Sequence, residues 1–150
     1  MSLGTAVAAF ELGADGGEHL RFGAVEIVVK ASADTTGGAF TVLEENEPVD
    51  TPLHVHENED ELFYVLEGEH VFQVGEQEFR AGPGGVVFAP RGVPHAQRRV
   101  IPRTGRILVL ASPAGLEGFF RELAEVDDEG AIEPDAYASA STKYGITWLS

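Results

Sequence analysis

The sequence contains no cysteine and few basic residues among its 150 amino acids. Without cysteine, neither disulfide bonds nor thiolate metal ligands are available. Ten Lys and Arg residues stand against 25 Asp and Glu residues, which gives a formal net charge of −15. Because phosphate-rich surfaces are bound chiefly through Lys and Arg, we expect neither nucleic acid nor an anionic membrane as a partner. We interpret the excess of acids as a solvated surface.

Long apolar runs are also absent. A helix that spans a bilayer needs about 20 consecutive apolar residues, and no stretch of the sequence approaches that length. Residues 1–4 lack the basic region and the apolar segment with which a secretory signal begins. We therefore expect a cytoplasmic protein. The length and a hydrophobic content of 43% suit one globular domain with a substantial core.

Short β-branched and aromatic segments, separated by Gly and Pro, fill the first three quarters of the chain. They predict seven or eight strands and an all-β sandwich or barrel. The predicted strands are 21–31, 39–44, 62–66, 70–74, 77–80, 86–89, 95–99 and 106–111, with a hairpin turn at 67–69. Helical spacing at 116–124, and a second candidate helix at 134–143, change the pattern near the end. We expect a single domain over 1–150, with an arm at 1–17, a barrel at about 20–112 and a helical extension at 113–150.

The segment 62–66 is apolar on both faces of its predicted strand. If Glu61 points inward, Phe63 shares its face, while Leu62 and Tyr64 point the other way. That second apolar face requires cover by another layer or a second subunit. Together with the aromatic tail around Trp148, it leads us to expect a homodimer.

A pair of histidines is the strongest chemical signal. In a strand, residues i and i+2 point to the same face, about 7 Å apart at the backbone. His54 and His56 can therefore lean towards one metal ion, with bonds of about 2.0–2.1 Å. Glu61 can add a carboxylate oxygen from the next strand, and His95, in a separate Pro- and Gly-rich segment, is the candidate fourth ligand.

Two motifs carry a family resemblance. A His-x-His pair, a glutamate after four residues and a glycine after six more are formed by His54, His56, Glu61 and Gly68. A glycine, a Pro-x-Gly after five residues and a histidine after two more are formed by Gly84, Pro90, Gly92 and His95. In these motifs the chain resembles the cupin family over about residues 40–112. Pro48 stands where the first motif usually opens with Gly, and Arg99 where the second usually closes with Asn; neither is a ligand position in the family.

The resemblance implies a double-stranded β-helix, a jelly-roll barrel with a metal site inside. Three imidazoles and a carboxylate suit one divalent transition metal, and iron, manganese, nickel, cobalt, copper and zinc all remain open. A closer resemblance to bacterial quercetinase-like dioxygenases implies a small oxygen-rich aromatic or diketone substrate, with Glu61 as the catalytic base. Two alternatives remain: a non-catalytic cupin that binds a sugar or another small molecule, and a metal-dependent isomerase or decarboxylase.

Other polar residues near the motifs are weaker candidates. Asp60 is on the opposite face from Glu61 if the strand has begun there, and His19 and His70 lack a partner motif. Gln97 shares the strand face of His95, so it is either a pocket residue that hydrogen-bonds near the metal or a solvent-facing side chain. Phenylalanines 63, 72 and 88 are interpreted as barrel core, with Phe63 also a candidate pocket residue. A cluster of arginines over 98–106 is interpreted as balancing surface carboxylates.

Overall fold

A computed structural model describes residues 7–149. Within that range the strands are β1 (Glu18–Phe22), β2 (Val25–Ala31), β3 (Thr41–Asn46), β4 (His54–His56), β5 (Asp60–Glu67), β6 (His70–Val74), β7 (Gln77–Ala81), β8 (Val86–Ala89), β9 (His95–Arg99), β10 (Arg106–Ser112) and β11 (Ile146–Trp148). The helices are α1 (Ala33–Thr36), α2 (Leu116–Val126) and α3 (Pro134–Lys143).

The strands form two antiparallel sheets. One has the order β1-β2-β3-β10-β5-β8 and the other the order β11-β4-β9-β6-β7. Their inner faces share one hydrophobic core, to which both sheets and helix α2 contribute. The all-β architecture predicted from the strand pattern is confirmed. None of the described helices is long and apolar enough to cross a membrane.

Alternation along β5 explains how the interior is filled. Glu61, Phe63 and Val65 are buried on the inner face, as the period of two in a strand predicts. Tyr64 lies on the outer face and is 40% exposed. Phe88, which we predicted to be core, is 52% exposed; that prediction is wrong because β8 turns Val87 inward and Phe88 outward.

Two predicted turns differ from the observed ones. The predicted strand 21–31 is a hairpin, because Gly23 adopts a left-handed φ of 53° and reverses the chain between β1 and β2. The predicted hairpin at 67–69 is a corner instead: β5 and β6 belong to different sheets. Gly68 has a φ of 81° there, and a Cβ on it would lie 2.9 Å from the Gly105 Cα. Only glycine fits that corner without displacing the neighbouring backbone.

Helix α2 is joined to the barrel by a buried carboxylate. Glu117 accepts hydrogen bonds from the backbone N–H of Ala33 at 2.6 Å and of Gly115 at 3.1 Å, and from the hydroxyl of Thr41. Burial alone would raise the pKa of Glu117, but these hydrogen bonds outweigh it and lower the pKa. The carboxylate therefore stays ionised and links α2, α1 and β3.

The C-terminal segment closes one side of the barrel. Strand β11, which the sequence did not predict, pairs with β4 and places Trp148 opposite His54. The indole N–H of Trp148 donates to Ser141 at 2.9 Å, and the ring of Phe120 stacks on Phe22 with centroids 6.0 Å apart. The aromatic tail therefore packs against its own barrel, so it no longer supports the predicted dimer.

Candidate metal centre

Strand β4 consists of only three residues, and all are buried. It pairs with β9 at a single position, where His54 lies directly opposite His95. The two rings are 4.4 Å apart between centroids, and the His56 ring lies 5.1 Å from that of His54. Strand alternation and one cross-strand pair thus bring together three imidazoles from two distant parts of the sequence.

The three histidines satisfy the spacing of a metal site. Each offers one ring nitrogen, and these nitrogens all lie within 4.8 Å of one another. Two ligands on opposite sides of one ion are about 4 Å apart, twice a bond of 2.0–2.1 Å. Small rotations of the rings would therefore allow His54, His56 and His95 to hold a metal ion.

Glu61 reaches the same point from the opposite sheet. Its Oε2 atom lies 2.7 Å from Nε2 of His95 and 3.4 Å from Nε2 of His56. Its strand, β5, belongs to the six-stranded sheet, whereas the histidines belong to the five-stranded one. Glu61 thus lies beside two of the three histidines, whereas the group that meets the spacing of a metal site consists of the histidines.

The outer nitrogen of each imidazole already has a partner. His54 Nδ1 is 2.7 Å from the carbonyl of Pro52, His56 Nδ1 is 2.9 Å from Oε1 of Glu59, and His95 Nδ1 is 3.4 Å from the carbonyl of Val93. Carbonyls and carboxylates only accept, so each Nδ1 carries the proton. In this tautomer each Nε2 has a free lone pair and faces the cluster. A metal ion binds imidazole through such a lone pair.

The short approach of His95 Nε2 to Glu61 Oε2 calls for a shared proton or a bound cation. The two atoms are 2.7 Å apart and buried, and among the described residues neither has a partner with hydrogen-bond geometry. Two buried lone-pair atoms so close require a cation or a proton between them. The residues present therefore fit a bound metal ion.

The ionisation states of the cluster also favour a cation. Burial and the nearby His95 lower the pKa of His54 to about 4, so this ring is neutral near pH 7. Burial would raise the pKa of Glu61, but its histidine neighbours outweigh burial and lower it. Burial would likewise lower the pKa of His56, but the carboxylates of Glu61 and Glu59 raise it. The cluster thus combines the ionised carboxylate of Glu61 with a neutral His54 ring, and a metal ion would compete with a proton for His56.

The cluster forms one wall of a cavity of about 110 Å³, smaller than the roughly 300–1,000 Å³ of sites for drug-sized ligands, so without side-chain movement it suits only a small ligand. Both predicted pocket residues, Phe63 and Gln97, line it. The remaining wall is mostly apolar and includes Ile27, Val49, Phe119, Phe120, Leu123 and Trp148. The Trp148 ring lies 4.8 Å from that of His54, so the aromatic tail forms part of the site.

Sequence reasoning missed Glu45, which lines the same cavity. It lies on β3 on the same face as Leu43, and its Oε2 accepts a hydrogen bond of 3.2 Å from Nε2 of Gln97. Burial raises its pKa to about 7, and the charge of Glu61 adds to the rise although the Gln97 bond opposes it. The available signal was alternation: extending the predicted strand 39–44 by one residue would have placed Glu45 inward.

The rival candidates lie outside the cluster. Asp60 accepts a hydrogen bond of 2.9 Å from the backbone N–H of Arg91, on the opposite strand face from Glu61. His19 is exposed, and His70 is a buried strand residue whose Nε2 lies 3.0 Å from the carbonyl of Glu67. Among the arginines of 98–106, ion pairs form with surface carboxylates: Arg98 with Glu78, Arg99 with Asp50, and Arg106 with Glu44 and Glu67.

Comparisons with known proteins agree with this fold and site. A sequence profile of the family described as "Cupin domain" matches residues 40–110. The chain is 32% identical over 108 residues to the quercetin 2,3-dioxygenase of Bacillus subtilis (strain 168), a match that covers 71% of this chain and 32% of the relative. The chain therefore spans about a third of the length of that curated relative.

Solved structures show the same architecture. KdgF from Halomonas sp. superposes with a TM-score of 0.54 at 19% identity, covering 63% of this chain and 83% of the other. The cupin domain of Cnp3 from Schizosaccharomyces pombe superposes with a TM-score of 0.53 at 17% identity, covering 71% and 75%. The profile match identifies residues 40–110 of this chain as a cupin domain. The predicted jelly-roll barrel is thereby confirmed.

Proposed function

We propose that this protein is a metal-dependent dioxygenase of the quercetinase type, acting on a small oxygen-rich aromatic or diketone substrate. The observation that carries the proposal is the meeting of three imidazole Nε2 atoms and one carboxylate oxygen in the wall of an apolar cavity. The similarity to a quercetin 2,3-dioxygenase supports this choice among cupin activities.

The proposed cofactor is one divalent transition metal held by His54, His56, Glu61 and His95. Iron, manganese, nickel, cobalt, copper and zinc all suit this set of ligands. When bound, such an ion supplies Lewis acidity to the keto and hydroxyl oxygens of the substrate.

The chain's own residues bind the substrate and accept its proton. Phe63, Phe119 and Trp148 line the cavity, so a flat ring can lie against aromatic surfaces from which water is excluded. Glu61 is ionised, and its Oε2 has no hydrogen-bond partner. That oxygen can therefore accept the proton that a substrate hydroxyl or enol loses, which is the role of a general base.

The test begins with the metal content of the purified protein and continues with the metal-free protein reloaded separately with each of the six ions. Oxygen uptake is then followed with quercetin and with acetylacetone, using ¹⁸O₂ to trace the label into the products. We expect uptake of one O₂ per substrate with at least one metal, and both labelled atoms in the products. The His56→Ala variant, prepared in parallel, should show neither metal retention nor uptake.

The alternative functions give different results in the same assay. Stoichiometric metal without oxygen uptake on any flavonol or diketone would contradict the dioxygenase. Tight binding without turnover would then indicate a small-molecule or sugar-binding cupin. Conversion of a substrate without consumption of oxygen would indicate an isomerase or decarboxylase.

We also propose that the protein is a homodimer that pairs through the outer face of β5 and β8. Two cross-strand pairs on that face, Leu62 with Phe88 and Tyr64 with Val86, are apolar. Tyr64, Val86 and Phe88 are at least 40% exposed. A contiguous apolar sheet face of this kind is typical of a protein–protein contact.

A further inference from the structure

The cavity contains a second polar centre besides the histidine cluster. Gln97 lies on β9 two residues after His95, so both side chains point to the same strand face, about 7 Å apart at the backbone. Glu45 comes to the same place from β3, in the opposite sheet. Between these two centres the cavity wall is mostly apolar.

The orientation of the Gln97 amide is fixed by its neighbours. One amide atom lies 3.5 Å from the carbonyl of Val49 and 3.2 Å from Oε2 of Glu45. A carbonyl can only accept, so this atom must be the NH₂ group. The backbone N–H of Gln97 also donates to the hydroxyl of Thr51 at 3.0 Å, which holds the residue in place.

The other amide atom of Gln97 is left without a partner. The residue is 8% exposed, and its Oε1 atom is buried and accepts no hydrogen bond from residues 7–149. A buried acceptor without a donor is unfavourable, because it has lost its hydrogen bonds to water. In an apolar cavity, a donor on a bound ligand would satisfy this atom.

We infer that Gln97 and Glu45 form a specificity site for a hydrogen-bond donor on the substrate, at the end opposite the metal-chelating oxygens. The inference rests on the proposed function and narrows it: the substrate is a cyclic hydroxyketone or flavonol that carries a further hydroxyl group away from its chelating pair. Gln97 Oε1 accepts from that hydroxyl. Oε2 of Glu45 accepts from the NH₂ group of Gln97 and so holds the amide with Oε1 free to accept.

Two small chelators provide a matched pair of probes. Kojic acid and allomaltol share the same hydroxypyranone ring and chelating keto–hydroxyl pair, and differ only in whether the opposite substituent is hydroxymethyl or methyl. Their affinities for the nickel-loaded protein are measured by isothermal titration calorimetry under argon. We expect kojic acid to bind about tenfold more tightly, since a hydrogen bond that satisfies a buried acceptor contributes about 1.4 kcal/mol. Equal affinities in the unmodified protein overturn the inference, whatever the variants do.

The variants then assign the effect to Gln97. In Gln97→Leu the two affinities should become equal within twofold. The control is Gln73→Leu, the same substitution at an exposed position on the neighbouring strand β6, which should keep the tenfold preference. A preference retained in Gln97→Leu, or an equal loss for both probes, contradicts the inference.

The outcome is independent of the oxygen-uptake assay. A tenfold preference in a protein that consumes no oxygen on any flavonol would leave the specificity site in place and reject the dioxygenase. Oxygen uptake on a flavonol together with equal affinities for the two probes would support the dioxygenase and reject the specificity site. Failure of both probes to bind the nickel-loaded protein counts against the specificity site.

Discussion

Nε2 of His95 lies 2.7 Å from Oε2 of Glu61 across the interior of the barrel, and within residues 7–149 neither atom makes a hydrogen bond of good geometry. The two residues come from different sheets, so this contact joins the halves of the fold at the candidate site. Two buried acceptors at this distance repel each other unless a positive charge lies between them. The site is therefore arranged for a cation, and a metal ion would also link the two sheets.

His56→Ala should abolish metal retention because it removes one of three converging imidazoles. We expect metal affinity to fall more than about a hundredfold, beyond the 10–100-fold effect of losing a residue that only supports a ligand. The single tryptophan of the sequence lies 4.8 Å from His54, so its fluorescence reports titration with Ni²⁺. The control, His19→Ala on the exposed strand β1, should saturate at one ion per chain; full occupancy of His56→Ala would refute the assigned site.

Glu59→Ala should weaken metal binding by about 10–100-fold while leaving the ligands in place. Glu59 accepts the Nδ1 proton of His56 at 2.9 Å, which fixes the ring so that Nε2 faces the cluster. Glu59→Gln keeps an oxygen that can accept the Nδ1 proton of His56, so it should lose less metal affinity than Glu59→Ala. Competition with a chelator measures the affinities, and Glu57→Ala, at an exposed neighbouring position, should behave as the unmodified protein. An equal effect of the alanine substitutions at 57 and 59 would contradict the assigned hydrogen bond.

Alternation and motif spacing predicted much of this structure. The face of Glu61 and Phe63 followed from the strand period, and the four candidate ligands were identified by their positions in two motifs. What could not be predicted was contact between distant segments: nothing local to 146–148 indicates that it pairs with β4 beside His54. The contact between Gln97 and Glu45 could not be predicted either, because Glu45 lies 52 residues away on a strand that was predicted to end two residues too early.

Glu117→Ala should lower the free energy of unfolding by about 2–4 kcal/mol. The substitution leaves the N–H groups of Ala33 and Gly115 and the hydroxyl of Thr41 without their shared acceptor, and each unsatisfied buried donor costs about 1–3 kcal/mol. Urea unfolding of the metal-free protein measures the change. Glu125→Ala, an exposed position on the same helix, should stay within about 0.5 kcal/mol; an equal loss there would show that α2 is sensitive for another reason.

Phe88→Lys should convert the proposed dimer to a monomer. A lysine at the centre of the outer face of β5 and β8 would have to lose its hydration in the contact, which costs more than the lost apolar burial alone. Sedimentation equilibrium should give twice the chain mass for the unmodified protein and for Ile101→Lys, an exposed loop position. A monomer at high concentration without any substitution would reject the dimer.

Glu45→Gln should change how stability depends on pH in the metal-free protein. Burial raises the pKa of Glu45 from 4.5 to about 7, so between these values the folded chain holds a proton that the unfolded chain has lost. The free energy of unfolding therefore falls as the pH rises from 4.5 to about 7. Above about pH 7 the full destabilisation caused by ionised Glu45 is present. At 1.36 kcal/mol per pH unit, the upper bound is about 3 kcal/mol.

Glu45→Gln has no titrating group at this position, so its free energy of unfolding does not fall with the ionisation of residue 45. Its free energy of unfolding, relative to the unmodified protein, should therefore increase from pH 4.5 to pH 7 and then stay level. Denaturant unfolding at half-unit pH steps measures the difference, with Glu47→Gln, at an exposed position, as the control. A difference that stays constant from pH 4.5 to pH 7 would mean that the pKa of Glu45 is the same in the folded and the unfolded chain. Its ionisation changes the free energy of unfolding only if the two pKa values differ.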